Sequence, residues 1–256
     1  MKKYINKTLI FLLIVMIGCK NQEKKKNNLS SDNNISLSKL EGSPIYDKAS
    51  LFIDENNLKI NSNGEVNFDF NVENYELGAQ TSNAKENGLA NSGKGQHIHF
   101  ILNNGPYSAH YESNFDKTLD PGNNVILSFL SRSYHESLKN AEAFSLIQLN
   151  IKEQEEDSID LSAPLMFYSR PKGTYQGDDT KKLLLDFYLI NTEISPDGNK
   201  VRATINGKEF LIDEWVPHYI EGLPLGEVII KLELLDNAGN LIKAPFNPVE
   251  RKVILK

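Results

Sequence analysis

The chain has one cysteine, Cys19, in 256 residues, so it can form no internal disulfide and no thiolate metal site. It also lacks a basic excess: 28 Lys and Arg stand against 34 Asp and Glu, a net charge of −6. Binding to a phosphate backbone needs a basic face, so nucleic acid is excluded as the expected partner. No apolar run approaches the ~18 residues that read as a membrane-crossing helix. Catalytic signatures are missing as well. There is no Gly-x-Ser-x-Gly elbow and no His-Glu-x-x-His helix, and Gly93-Lys94-Gly95 lacks the spacing and following helix of a phosphate loop. These absences point away from an enzyme and imply no resident cofactor.

What is present begins with the first 18 residues. Lys2, Lys3 and Lys7 precede an unbroken apolar run from Leu9 to Ile17, followed by Gly18 and Cys19. This is the layout of a secretory signal, and about nine apolar residues span only ~14 Å as a helix, too short for a permanent anchor. Met16-Ile17-Gly18-Cys19 resembles a lipobox, with Met16 in place of leucine and Ile17 in place of a small residue. The resemblance implies cleavage after residue 18, acylation of Cys19 and an outer-membrane lipoprotein on the periplasmic or cell-surface face, bound to the membrane by its N-terminal lipid. Loss of Lys2, Lys3 and Lys7 with the signal takes the charge from −6 to −9.

Residues 19–47 are rich in Lys, Asn, Ser and Asp, with too few apolar residues to offset the entropy of ordering, and read as a flexible tether. Beyond them lies a repeat. Residues 48–152 and 164–256 each carry short runs rich in Val, Ile, Phe and Tyr, separated by turn residues, and the acidic stretch 153–163 links them. Gly95 to Asn103 aligns with Gly198 to Asn206, and an insertion of about ten residues around Thr81 to Ser92 sets the first copy apart. Period-two alternation and the absence of long helical periodicity predict an all-β protein of two tandem immunoglobulin-like antiparallel β-sandwiches. Leu235 to Ile242 looks like the last hairpin of bacterial immunoglobulin-like domains.

Four of the five histidines fall between positions 97 and 135. Asn104-Gly105 is a hairpin signal, and a two-residue loop there sets His99 opposite His110 and His97 opposite Glu112. Side-chain alternation then sends Ile98, Phe100 and Leu102 to the core and places His97, His99, His110 and Glu112 together on the other face. Imidazoles with a carboxylate suit zinc or copper. The repeat gives the competing reading: Lys200 and Arg202 align with His97 and His99, as on an ordinary polar sheet face. His135, in the loop Arg132 to Ser137, is left open as a further ligand. Trp215 beside Pro217, His218 and Tyr219 reads as core, with an exposed patch for a glycan or protein as the alternative.

The segments Gly95 to Tyr107, Ser131 to Ser137 and Gly222 to Gly226 together resemble a family of Bacteroidetes lipoproteins of unknown function, whose members often carry the label phosphopeptide-binding. That label implies a basic, serine-bearing ligand loop, for which Arg132, Ser133 and His135 are the local fit. The leading expectation is a non-enzymatic interaction module of the cell envelope with a protein or glycan partner. A histidine-based zinc or copper binder or metal chaperone is the second.

Overall fold

The computed structural model describes residues 34–152 and 158–256, besides Met1. Strand β1 (Ser36–Lys39) comes first, followed by the first module: β2 (Ser50–Phe52), β3 (Lys59–Ile60), β4 (Glu65–Asp69), β5 (Asn71–Glu73), β6 (His97–Leu102), β7 (Ser108–His110), β8 (Asn114–Thr118), β9 (Gly122–Ser131) and β10 (Phe144–Ile151). The second module holds β11 (Leu165–Arg170), β12 (Gly173–Tyr175), β13 (Lys182–Ile190), β14 (Lys200–Ile205), β15 (Lys208–Ile212), β16 (His218–Glu221), β17 (Gly226–Leu235) and β18 (Val249–Leu255). The architecture is all β, two sandwiches in tandem, as the alternation predicts.

Each module closes two sheets on an apolar interior. In the first, the order β10-β9-β6-β7 faces the smaller sheets β2-β5 and β3-β4-β8. Between them lie Leu51, Val66, Phe68, Ile98, Phe100, Ile126, Leu130 and Ile147. In the second, β12-β18-β17-β14-β15 faces β1-β16-β13-β11 across Met166, Leu185, Phe187, Val201, Ala203, Ile230 and Leu232. The repeat is physical down to its turns. Asn103 and Asn206 both adopt a left-handed backbone, with φ of 48° and 46°. Asn103 Oδ1 accepts from Val125 N at 2.8 Å and Asn206 Oδ1 accepts from Ile229 N at 2.9 Å, so each ties its hairpin to the next strand.

The two modules are stacked sheet on sheet. Ile101, Val125, Leu127 and Phe129 leave the far face of the β10-β9-β6-β7 sheet and pack against Leu165, Phe167, Tyr188 and Ile190 of β11 and β13. Phe129 and Tyr188 stack with centroids 4.8 Å apart. A fully buried side chain of this size contributes ~1.5–3 kcal/mol, so the junction is a third core rather than a loose interdomain contact. β9 and β13 are consequently buried on both faces along most of their length. A carboxylate caught at the junction is paired. Asp186, 1% exposed, accepts from Lys139 Nζ at 2.6 Å and from Ser137 Oγ at 3.1 Å.

Two expected boundaries move. Residues 34–47, assigned above to the tether, are built into the fold: β1 pairs antiparallel with β16 and Ile35 is buried in the second core, while Tyr46 packs on the first core. Ile35 and Leu37 alternate with polar neighbours, which is enough for a short edge strand but too little to change the local composition. In the expected linker, residues 158–163 are described; Ile159 and Leu161 pack into the junction, and Ile159 N donates to Gln148 Oε1 at 2.9 Å. The insertion also has a structural place, with Ala84 and Leu89 packed on Tyr134 and Leu184. The signal sequence and Cys19 lie outside the described residues.

Candidate metal centre

β6 positions the first two candidate ligands by alternation. Ile98 and Phe100 enter the first core, while His97 and His99 point with Ile101 toward the second module and are fully buried. Gly95 fixes the entry to this strand: its φ is +89°, and a Cβ there would stand 2.2 Å from Gly78 O. His97 pairs across the sheet with Ser131, the last residue of β9. The chain then turns back through Arg132–Glu136, closed by His135 N donating to Arg132 O at 2.8 Å, with His135 in the left-handed region at φ 72°. That turn brings His135 over His97.

Three ring nitrogens meet there. His97 Nε2 lies 2.9 Å from His99 Nε2 and 3.0 Å from His135 Nδ1. The donor atoms of the three rings all lie within 4.8 Å of one another. The far nitrogens of His97 and His99 are committed. His97 Nδ1 is 2.8 Å from the Gly95 carbonyl, which can only accept, so Nδ1 carries the proton and Nε2 offers its lone pair. His99 Nδ1 is 3.2 Å from Ser169 Oγ, a contact from the second module that orients the ring. A ligand imidazole held at its far nitrogen is the usual arrangement around a metal.

Burial keeps these imidazoles neutral. It lowers His97 to about 4, and Arg170 and Lys172 push in the same direction against the Gly95 hydrogen bond. His99 and His135 are held well below the ordinary histidine value, again chiefly by burial. Neutral imidazole is the ligating form, so the cluster is ready for an ion at neutral pH.

The other sequence candidates part company with the cluster. The β6–β7 register is displaced by one residue from expectation: Ile98 faces His110 and His99 faces Ala109. The loop is Asn103-Asn104-Gly105 rather than two residues, because both asparagines are anchors. Asn103 holds β9, and Asn104 Oδ1 accepts from Tyr168 N of β11 at 2.9 Å. A one-residue slip reverses every side chain beyond it. His110 therefore points to the opposite face, stacks on Phe115 at 3.5 Å and lies 2.9 Å from Ser108 Oγ. Glu112 is exposed in the bend after β7.

Arg132 and Ser133 do not form a ligand loop. Arg132 is buried in an ion pair with Glu136 at 2.8 Å, and Ser133 N donates to Thr81 Oγ1 at 3.0 Å. Trp215 is half-buried, donates through Nε1 to Phe187 O at 3.0 Å and packs edge-on against Tyr188. Sequence reasoning gave Tyr107 and Ser169 no role. The expected hairpin sets Tyr107 opposite Leu102, on the face away from His99, and nothing local to Ser169 announces its contact.

No protein-family model matches the chain, and no curated protein matches it. Among solved structures, the chain is similar to the fibronectin(III)-like modules of Clostridium thermocellum CbhA at 13% identity and a TM-score of 0.27, covering 80% of this chain and 94% of that one. It is also similar to the central fibronectin-III array of RIM-binding protein, at 11% identity and a TM-score of 0.26 over 84% of this chain and 71% of that one.

Proposed function

We propose that the chain is a lipid-anchored envelope protein whose folded part is a metal-binding, non-catalytic module, holding one transition-metal ion between His97 Nε2, His99 Nε2 and His135 Nδ1. The observation that carries this reading is the convergence of three neutral imidazoles on one point. His97 Nε2 has a single lone pair yet faces two ring nitrogens at hydrogen-bond distance, and one lone pair accepts one good hydrogen bond. An ion that draws the three nitrogens to ~2.0–2.1 Å from itself satisfies all three together. Full burial of His97 and His99 leaves them no open face toward an organic substrate, which supports binding over catalysis.

Calorimetric titration of the purified soluble chain with Zn(II) and Cu(II) tests the site. One ion per chain is expected, with affinity lost in His99→Ala; no binding tighter than millimolar by the wild-type chain overturns it. The anchor is tested separately. Cys19→Ala should move the protein from the membrane fraction to the soluble fraction, and retention in the membrane would refute acylation there.

A further inference from the structure

The cluster has an electrostatic oddity that its three ligands leave unexplained. A cation site is flanked by two cations, Arg170 and Lys172, and the metal-ligating groups gathered there include no carboxylate among the described residues. Three neutral imidazoles do nothing to cancel the charge of a divalent ion. Something anionic is needed beside the metal.

Both cations converge on one residue, Tyr107. Lys172 Nζ sits 3.8 Å from its ring centroid and donates to its backbone carbonyl at 2.7 Å, and Arg170 Cζ is 5.3 Å from the same ring. The ring is 3% exposed and stacks on His99 with centroids 3.5 Å apart and planes 12° apart. Lys172 and His99 therefore occupy opposite faces, and Tyr107 cannot swing away. Its hydroxyl oxygen lies 3.1 Å from His135 Nδ1, one of the three ligand nitrogens. Two donors each ~2.0–2.1 Å from one ion are separated by about this distance when they occupy adjacent positions around it.

We infer that Tyr107 is the fourth ligand, binding as a phenolate, and that the completed three-nitrogen, one-oxygen set is a copper(II) site. The inference rests on the metal-binding reading above. As copper binds, the phenol O–H bond breaks, the oxygen lone pair forms the bond to the metal and the proton leaves to solvent; no group changes oxidation state. Burial pushes the Tyr107 phenol up, so it ionises only against the metal, and Arg170 beside it favours the phenolate once formed. A set of nitrogen and oxygen donors binds copper(II) most tightly of the divalent first-row ions.

Copper(II) added to the full soluble chain tests this directly. A phenolate-to-copper charge-transfer band in the visible is expected for the wild type, with phenolate modes enhanced in resonance Raman spectra excited within it. Tyr107→Phe keeps the ring and its stacking, so it should still bind copper through the histidines, roughly tenfold to a hundredfold more weakly, with the band gone. Tyr111→Phe is the control. Its ring lies 5.0 Å from His97, but its hydroxyl is engaged with Ser92 Oγ at 2.7 Å, and the band should survive. Copper binding by the wild type with no band, or a band that persists in Tyr107→Phe, overturns the Tyr107 assignment and leaves the three-histidine site standing. No copper binding at all by the wild type overturns this assignment, and failure with zinc as well overturns the site.

Discussion

β6 and β14 occupy the same place in the two repeats and meet opposite fates. His97 and His99 on β6 are covered by the second module, whereas Lys200 and Arg202 on β14 face water, with Arg202 paired to Glu233 at 2.9 Å. The cause is the way the modules stack. The first module uses its β10-β9-β6-β7 sheet to meet its neighbour, and the second uses the other sheet of its sandwich, leaving the β6 counterpart on the outside. Equivalent positions in a repeat therefore do not share an environment. Charged groups remain on the open copy, and groups that can be neutral occupy the closed one.

The comparison can be broken most severely by exchanging its residues. His99→Arg places the open copy's charge at a fully buried position without a carboxylate partner, and should cost several kcal/mol or abolish cooperative unfolding, whereas Arg202→His should cost at most about 1 kcal/mol. Urea denaturation of both variants gives the answer, and comparable losses would mean the junction is open in solution. Leu127→Ala should cost ~2–5 kcal/mol, because the side chain is fully buried in the junction, against ~1 kcal/mol or less for Lys231→Ala on the exposed face of β17.

Acid sharpens the same contrast. His97 is about 4 in the folded chain against about 6.5 unfolded, and His99 and His135 are also lowered, so the unfolded chain takes up protons first. Stability of the metal-free protein is thus complete above about pH 6.5 and falls as pH drops toward 4, by ~1.4 kcal/mol per pH unit for each histidine titrating only in the unfolded state. The urea midpoint measured against pH should show this fall in the wild type and a shallower one in His97→Gln. The smallest effects belong to the residues outside the cluster: His110→Ala and Glu112→Gln should leave metal affinity unchanged in calorimetry.

The strands, their turns and the repeat were legible because each depends on local pattern. Val66-x-Phe68-x-Phe70 and Val201-x-Ala203-x-Ile205 alternate as strands with one open face do, and they lie in outer sheets. The stacking was harder to see, yet its trace is present. Val125 to Leu130 and Leu183 to Ile190 are nearly unbroken apolar runs, the pattern of strands covered on both faces. Read together with the histidines of β6, those runs argue that His97 and His99 are enclosed. The hairpin register was not legible, because Asn104-Gly105 is a turn signal by propensity while Asn104 is engaged by Tyr168, 64 residues away. His135 was left open for a related reason: its approach depends on which strand pairs with β6, a long-range fact.

Strand β1 has a consequence for the order in which the molecule is assembled. Ser36 pairs with Glu221 and Lys39 with His218, so the earliest described strand waits for one of the latest. During synthesis from the N-terminus the first sandwich emerges whole before β1 has a partner, and Ile35 stays solvated until β16 arrives. Such a distant pairing carries the loop-closure cost that slows folding. The finished fold is correspondingly self-locking. A single break in the connection between β10 and β11 would not divide the two sandwiches, because the segment leading from β1 to β2 still joins them.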